Sequence, residues 1–547
     1  MSDNDKSLAL LGDEAAALGA MHAGLTAAYG YPGTPSTEIL EYLIEKSHES
    51  GSFIAKWCTN EKTAFEAAIG TSFAGKRAIV TMKHVGLNVA ADPYLNSSLL
   101  GINGGLVVAV ADDPGMHSSQ DEQDSRFYSI YSLCPCLEPR NQQEAYDMCR
   151  DAFDISERFH LPVMLRLSTR LSHARAAIKP EAVKKQNELS KKDDLQRWIL
   201  MPANSRLNYD DLVNKQASLA EWSASYKANK LDMQDPLFAV ITSGLGGNYY
   251  EENLGDFLSS RGGKAPSRLH IGAYPFPEDS IRKLCEKAEK VLVIEEGQPI
   301  IEKYLKGILP QKITVSGKLD GALNRTGELD PDNVRKSLGL PARQNVLQPG
   351  INIPKLPGRP PQLCQGCPHG DSFTAINKAL ADLGSGRSSP DSIVASDIGC
   401  YTLASAPPYS AISSTVCMGA SIGMARGAAE AGIKYAIATI GDSTFLHSGM
   451  TSLVDAVRWD VPMTLIILDN SITAMTGCQE TIVNSTKLSK LVLGLGVNPE
   501  HFLELEAKAM LMAENVEKLK KEFEHRGLSV VIFRRECLEA FRRRNKK

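Results

Sequence analysis

Two runs of apolar, strand-like sequence end in polar residues: Gly441-Asp442-Ser443 after the first and Asp469-Asn470-Ser471 after the second, with a helical stretch between. A small hard cation such as Mg²⁺ takes octahedral oxygen ligands and commonly bridges a carboxylate to phosphate oxygens. The Asp442 carboxylate, the Asn470 amide and the Ile472 carbonyl can supply three such oxygens. Adjacent parallel strands bring their C-terminal ends to one crevice, so a helix's length of chain does not separate these groups in space. Gly441 lets the backbone come close to a phosphate. Each residue alone is an ordinary turn former; their pairing and spacing carry the information.

Other candidates are less specific. Cys364-Gln365-Gly366-Cys367 is a C-x-x-C, with Cys400 after Asp397-Ile398-Gly399 and Cys537 after the last apolar run. That order suits a structural Zn²⁺, a [4Fe-4S] cluster or free thiols, and spacing does not choose among them. Cys134 and Cys136 have no clear counterpart, and Cys58, Cys149, Cys285, Cys417 and Cys478 read as small apolar packing residues. Glu61, in Asn60-Glu61-Lys62-Thr63, opens a helix, where a carboxylate is favoured by the macrodipole; beside a ligand, the same group is a general acid or base. Thr34-Pro35 reads as an N-cap and first helical position. Lys83 and His84 follow a strand, where they face a ligand crevice or solvent, and His369 and His447 stand no higher.

These residues need strand ends to hold them. Short β-rich runs at residues 78–82, 106–110 and 161–165 alternate with helix-length segments such as 63–74, which argues for right-handed crossovers and a parallel sheet. A charged, irregular stretch over 179–234, including Lys191-Lys192-Asp193-Asp194, reads as a linker. Strands are then expected at 237–242, 268–271 and 291–294. Six prolines (341, 349, 354, 357, 360 and 361) mark an extended connector over 340–361. The last block, 362–547, alternates again, with strands at 435–440, 463–468 and 528–533 and a helix at 447–458. The fold class is therefore α/β.

At 547 residues the chain is too long for one small module, and 43% hydrophobic with 23% charged residues is globular rather than disordered. Sixty Lys and Arg against 64 Asp and Glu argue against a nucleic-acid surface built on bulk charge. Without a basic leader or an 18-residue apolar run, the chain reads as cytoplasmic, with no membrane insertion and its eleven cysteines reduced.

The Gly441-Asp442 and Asn470 pattern resembles the diphosphate-binding signature of thiamine-diphosphate enzymes. Together with Tyr31-Pro32-Gly33-Thr34-Pro35-Ser36-Thr37-Glu38, Thr81-Met82-Lys83-His84-Val85-Gly86-Leu87-Asn88, Ala111-Asp112-Asp113-Pro114-Gly115 and Asp469-Asn470-Ser471-Ile472-Thr473-Ala474-Met475-Thr476-Gly477, it resembles the large subunit of indolepyruvate ferredoxin oxidoreductase across nearly the whole chain. The resemblance implies a pyrimidine-binding domain (1–178), a transketolase-C-terminal-like α/β domain (235–339) and a diphosphate-binding domain (362–547). It matches Glu61 to the glutamate that activates the cofactor's aminopyrimidine, and Thr34 to a residue near the substrate carboxylate, with Lys83 and His84 as further catalytic candidates. It adds Met418, Gly441 and Ser443 to the cofactor contacts, with Asp442, Asn470 and Ile472 on Mg²⁺. It favours a [4Fe-4S] cluster on Cys364, Cys367, Cys400 and Cys537.

The implied reaction is oxidative decarboxylation of an aryl 2-oxo acid to its acyl-CoA. The implied partners are a small beta subunit and a separate ferredoxin-like acceptor, in a dimer or heterotetramer. The family's C-terminal run of cluster-binding cysteines has no counterpart here; the sequence instead reaches Phe541-Arg542-Arg543-Arg544-Asn545-Lys546-Lys547, which leaves the electron exit open. A non-oxidative thiamine-dependent decarboxylase or carboligase with structural cysteines is the rival reading, and a scaffold that binds no thiamine a more distant one.

Overall fold

The computed structural model describes residues 7–190, 195–310, 312–343, 362–481 and 485–544. The run Lys191-Lys192-Asp193-Asp194, the prolines Pro349, Pro354, Pro357, Pro360 and Pro361, and Asn545, Lys546 and Lys547 lie outside the described residues. The chain divides into two compact units, Met1–Pro349 and Gly350–Lys547.

In the first unit, β1 (Ala27–Gly30), β2 (Ile54–Trp57), β3 (Ala78–Lys83), β4 (Leu106–Asp112) and β5 (Val163–Ser168) pair in parallel in the order β5-β4-β3-β1-β2. Two short strands, Cys136–Leu137 and Ala273–Tyr274, extend the β5 edge. Every residue of β4 is buried, as expected where helices cover both faces and the strand reads as one apolar run. Helix α1 (Glu61–Phe73) follows β2, and α2 (His84–Val89) follows β3 without an intervening loop.

The stretch expected to be an irregular linker contains α3 (Pro202–Ser225), 24 residues long. Pro202 opens it at a position where no N–H is needed. Its apolar face is sparse, with Leu212, Leu219 and Trp222 buried, so helical periodicity is faint there. Beyond it, β6 (Asp235–Ser243), β7 (Pro266–Ile271) and β8 (Lys290–Ile294) form a smaller parallel sheet in the order β8-β6-β7, with Thr314–Ser316 beside β8 and antiparallel Lys230–Asp232 beside β7.

An open α/β sheet offers a ligand crevice where its strand order reverses, here between the C-terminal ends of β6 and β8. Buried ion pairs fill that place. A Cβ on Gly244 would lie 2.7 Å from Glu138 Oε1, and one on Gly297 2.6 Å from Asp124 Oδ2. Arg126 donates to Asp124 at 2.6 Å and to Glu295 at 3.1 Å; Arg166 donates to Asp112 at 2.7 Å and to Glu138. All six side chains are buried. The smaller sheet therefore braces the larger one.

In the second unit, β9 (Ser392–Ser396), β10 (Tyr435–Gly441), β11 (Met463–Asp469), β12 (Phe502–Glu506) and β13 (Ser529–Arg534) form a parallel sheet in the order β9-β10-β11-β13-β12, with Ser414–Thr415 beside β9. Both β10 and β11 are buried at every residue. The helix expected over 447–458 is interrupted: a short turn, Asp442–Thr444, leads through a wider π-type turn, Phe445–Gly449, into α5 (Met450–Arg458), while α4 (Ala420–Glu430) covers the neighbouring strands. No helix among the described residues is long and apolar enough to cross a membrane.

Candidate functional site

Register brings the second unit's candidates together. Gly441 is the Cα partner of Leu468 across β10 and β11, so Asp442 and Asn470 leave neighbouring strands at the same end of the sheet. Asp442 is buried; its Oδ1 accepts from the Ser443 N–H at 2.8 Å, while Oδ2 has no hydrogen-bond partner. Burial, and then the nearby Asp469 carboxylate, push the Asp442 pKa well above the usual range. Two close buried carboxyls, each with an oxygen that accepts no hydrogen bond and with the Arg534 guanidinium 3.3 Å from Asp469 Oδ2, leave the Asp442 oxygen suited to a divalent cation. Asn470 accepts from the Ile472 N–H at 3.1 Å and reaches His369 Nε2 at 3.1 Å. Ser443 Oγ lies 2.7 Å from Thr473 Oγ1.

Gly441 has an ordinary extended backbone, and space explains the glycine: a Cβ there would lie 2.7 Å from the Tyr401 ring. Met418, half-buried, precedes Gly419, whose φ of +86° opens α4. His369 is buried in contact with Asn470 rather than at a surface, and burial lowers its pKa to about 4. His447 is buried against Ser448.

Two acids not chosen from sequence join this end of the sheet. Asp469 accepts from the Ser471 N–H at 3.1 Å. Asp397, after β9, accepts from Ser421 Oγ at 2.8 Å and from Tyr401, and burial pushes its pKa up to about 7. Their position directly at strand ends was the available signal.

The cysteines converge on the same end. Cys537 N–H donates to the Asn470 carbonyl at 3.2 Å, and Cys367 N–H closes a turn on the Cys364 carbonyl at 2.9 Å. Burial, and then the thiols of Cys367, Cys537, Cys364 and Cys478 around it, push Cys400 up to about 12. Cys478, read as a packing residue, is half-buried and within electrostatic reach of these thiols. Cys134, Cys136, Cys149 and Cys285 are buried as packing residues, whereas Cys417 is exposed and Cys58 half-buried. Among the described residues no three His, Cys, Asp or Glu side chains stand close enough to hold a single ion.

In the first unit, Glu61 begins α1, only 5% exposed, behind Asn60, whose Oδ1 caps the Thr63 N–H at 2.9 Å. Lys83 ends β3. Burial holds its ammonium below the ordinary lysine value against the pull of Asp113, Asp121 and Glu61. His84 starts α2, buried, its Nε2 3.2 Å from the Asp121 carbonyl. Thr34 is not an N-cap: the helix begins two residues later than expected, with Ser36 as cap and Thr37 first. Thr34 instead accepts from Ser118 Oγ through its carbonyl at 3.3 Å. Asp113 anchors that loop by accepting from Ser118 N–H, Ser119 Oγ and Thr169 Oγ1 at 2.6–2.8 Å. Thr34, Glu61, Lys83 and His84 therefore share the C-terminal end of the first sheet.

Comparison with known proteins defines the class first. Residues 18–223 match the thiamine diphosphate-binding region of pyruvate flavodoxin/ferredoxin oxidoreductases, and residues 397–533 match the C-terminal TPP-binding domain of thiamine pyrophosphate enzymes. A solved 2-oxoglutarate:ferredoxin oxidoreductase from Magnetococcus marinus shares the fold, at TM-score 0.50 and 17% identity over 57% of this chain and 62% of that one. The chain is thus a thiamine pyrophosphate-binding oxidoreductase subunit. It is 37% identical to indolepyruvate oxidoreductase subunit IorA of Archaeoglobus fulgidus, over 96% of this chain and 86% of that protein, and 35% identical to the Methanothermobacter thermautotrophicus subunit over 98% and 87%. The chain belongs to the indolepyruvate oxidoreductase subunit IorA family.

Proposed function

We propose that this subunit carries out oxidative decarboxylation of a 2-oxo acid, with an aryl acid such as indolepyruvate as substrate. Coenzyme A takes the acyl group, carbon dioxide leaves, and two electrons go to ferredoxin or a similar one-electron acceptor; a [4Fe-4S] cluster, when bound, would supply the single-electron relay. The observation that carries the reading is the orphaned Asp442 oxygen beside Asp469 and Asn470, at the strand ends where a diphosphate-bound Mg²⁺ would sit.

Asp442, Asn470 and the Ile472 carbonyl would hold the metal, with Gly441, Ser443 and Met418 around the cofactor. Thiamine diphosphate, when bound, supplies the electron sink that lets the carboxylate bond break. Glu61 holds and moves the proton exchanged with the aminopyrimidine ring. Lys83, an ammonium in a half-buried site, offers a counter-charge to the substrate carboxylate; Thr34 and His84 line the same end of the sheet. Cys364, Cys367, Cys400 and Cys537 would hold the cluster. The gathering of these thiols favours an oxidative over a non-oxidative reaction, because electrons released singly need a nearby acceptor.

The same reading divides the chain into pyrimidine-binding (1–178), transketolase-C-terminal-like (235–339) and diphosphate-binding (362–547) domains. It expects a small beta subunit, a separate ferredoxin-like acceptor, a dimeric or heterotetrameric assembly and a cytoplasmic location. Protein purified without oxygen together with its partner subunit tests it. Iron near about four and thiamine near about one per chain, with acyl-CoA formed as the protein bleaches on adding 2-oxo acid, is the expected result. Aldehyde released with no reduced acceptor would replace this reading with the non-oxidative one.

A further inference from the structure

Gly86 stands in the first turn of α2, where alanine is the better helix former. Its backbone gives no reason for glycine, being outside the left-handed region. Space does. The three atoms nearest to a Cβ built there are Glu61 Oε1 at 2.5 Å, Glu61 Cγ at 2.8 Å and Glu61 Cδ at 2.9 Å. All three belong to one side chain, which reaches α2 from the first residue of α1. The obstructing atoms are the outer part of a side chain, Cγ to Oε1, rather than backbone, so a methyl group at 86 would displace the carboxyl rather than the main chain. Gly33 makes the contrasting case: its Cβ would meet the Lys83 stem at 3.0 Å, short of the charged end.

We propose that Gly86 is a positioning residue: the side chain it lacks leaves the bed in which the Glu61 carboxyl lies, and so sets where that group meets the aminopyrimidine ring of thiamine diphosphate. The inference rests on the reading of Glu61 as the cofactor's proton partner. It assigns no chemistry to Gly86 itself.

The test uses the full chain with its partner subunit, in four forms: wild type, Glu61→Ala, Gly86→Ala and the double variant. Three quantities are followed: the thermal midpoint of the apoprotein, thiamine diphosphate affinity by calorimetry, and hydrogen–deuterium exchange at C2 of the bound cofactor. For Gly86→Ala the expected result is an apoprotein midpoint no lower than wild type, cofactor affinity within about threefold, and C2 exchange slowed by about tenfold or more. The double variant should exchange as slowly as Glu61→Ala alone, because both changes remove the same carboxyl from the same place.

Unchanged exchange in Gly86→Ala, or an additive further loss in the double variant, would overturn the proposal. Should Gly86→Ala fail to fold, recovery of folding in the double variant supports a clash confined to Glu61, and failure of both forms refutes it. If Glu61→Ala itself leaves exchange unchanged, the assignment of Glu61 is what falls, an outcome separate from the others.

Discussion

At the scale of single residues, the account turns on a few buried polar groups whose partners are missing or shared. General acid–base groups contribute about 10²- to 10⁴-fold to rate, so Glu61→Ala should lower kcat by at least about a hundredfold while the cofactor still binds. Steady-state kinetics with cofactor in excess checks this. His369 touches the amide of Asn470. Groups that orient a metal ligand typically carry about 10- to 100-fold in metal affinity; His369→Leu should weaken Mg²⁺-dependent cofactor binding by that amount, seen by calorimetry. The Asp442 and Asn470 pair was legible in the sequence because both residues end apolar runs. Asp469 and Asp397 end runs equally well but were hidden, since an acid beside a stronger motif reads as a turn former until burial shows it has little solvent to face. Cys478 was hidden for the opposite reason: it lies on a hairpin turn, with φ of +69°, at no spacing related to the C-x-x-C.

At the scale of elements, β3, β4, β10, β11 and β13 were legible to within two residues and β5 to within three, because central strands such as β4, β10 and β11 are buried on both faces and read as unbroken apolar runs, whereas the shorter β1, β2, β9 and β12 were not read as strands. Helix α3 was not, since its few buried residues are spread along 24 positions, and the π-type turn at Phe445–Gly449 has no sequence marker. One element yields a pH prediction. His270, in β7, lies 2.8 Å from Thr242 Oγ1, and burial, then the charge of Arg140, lowers its pKa to about 3. The unfolded imidazole takes up a proton near pH 6.5 that the folded one refuses. Its contribution is therefore intact above about pH 6.5 and lost as pH falls from there toward 3, at roughly 1.4 kcal/mol per pH unit. Denaturant unfolding of wild type and His270→Gln between about pH 6.5 and 5 should converge by about 1–2 kcal/mol; parallel curves would remove His270 from the account.

At the scale of the whole molecule, each unit builds its site at the C-terminal ends of a parallel sheet, and the small sheet of the first unit gives up its own crevice to ion pairs. Removing one partner from such a buried network leaves charges uncompensated, at about 3–5 kcal/mol. Arg166→Met, which strands Asp112 and Glu138, should lower unfolding free energy by that much and move the thermal midpoint of the first unit. The pairing of the two large sheets with thiamine chemistry was legible across the chain from motifs at strand ends, whereas the bracing role of the small sheet was not, because Arg126, Arg166, Asp124 and Glu138 converge only once β6 and β8 are placed. The most direct check on the whole is calorimetric titration of the apoprotein with thiamine diphosphate, with and without Mg²⁺. The account predicts saturable, Mg²⁺-dependent binding at about one cofactor per chain that Asp442→Ala abolishes; no binding, or binding indifferent to both metal and Asp442, would contradict it.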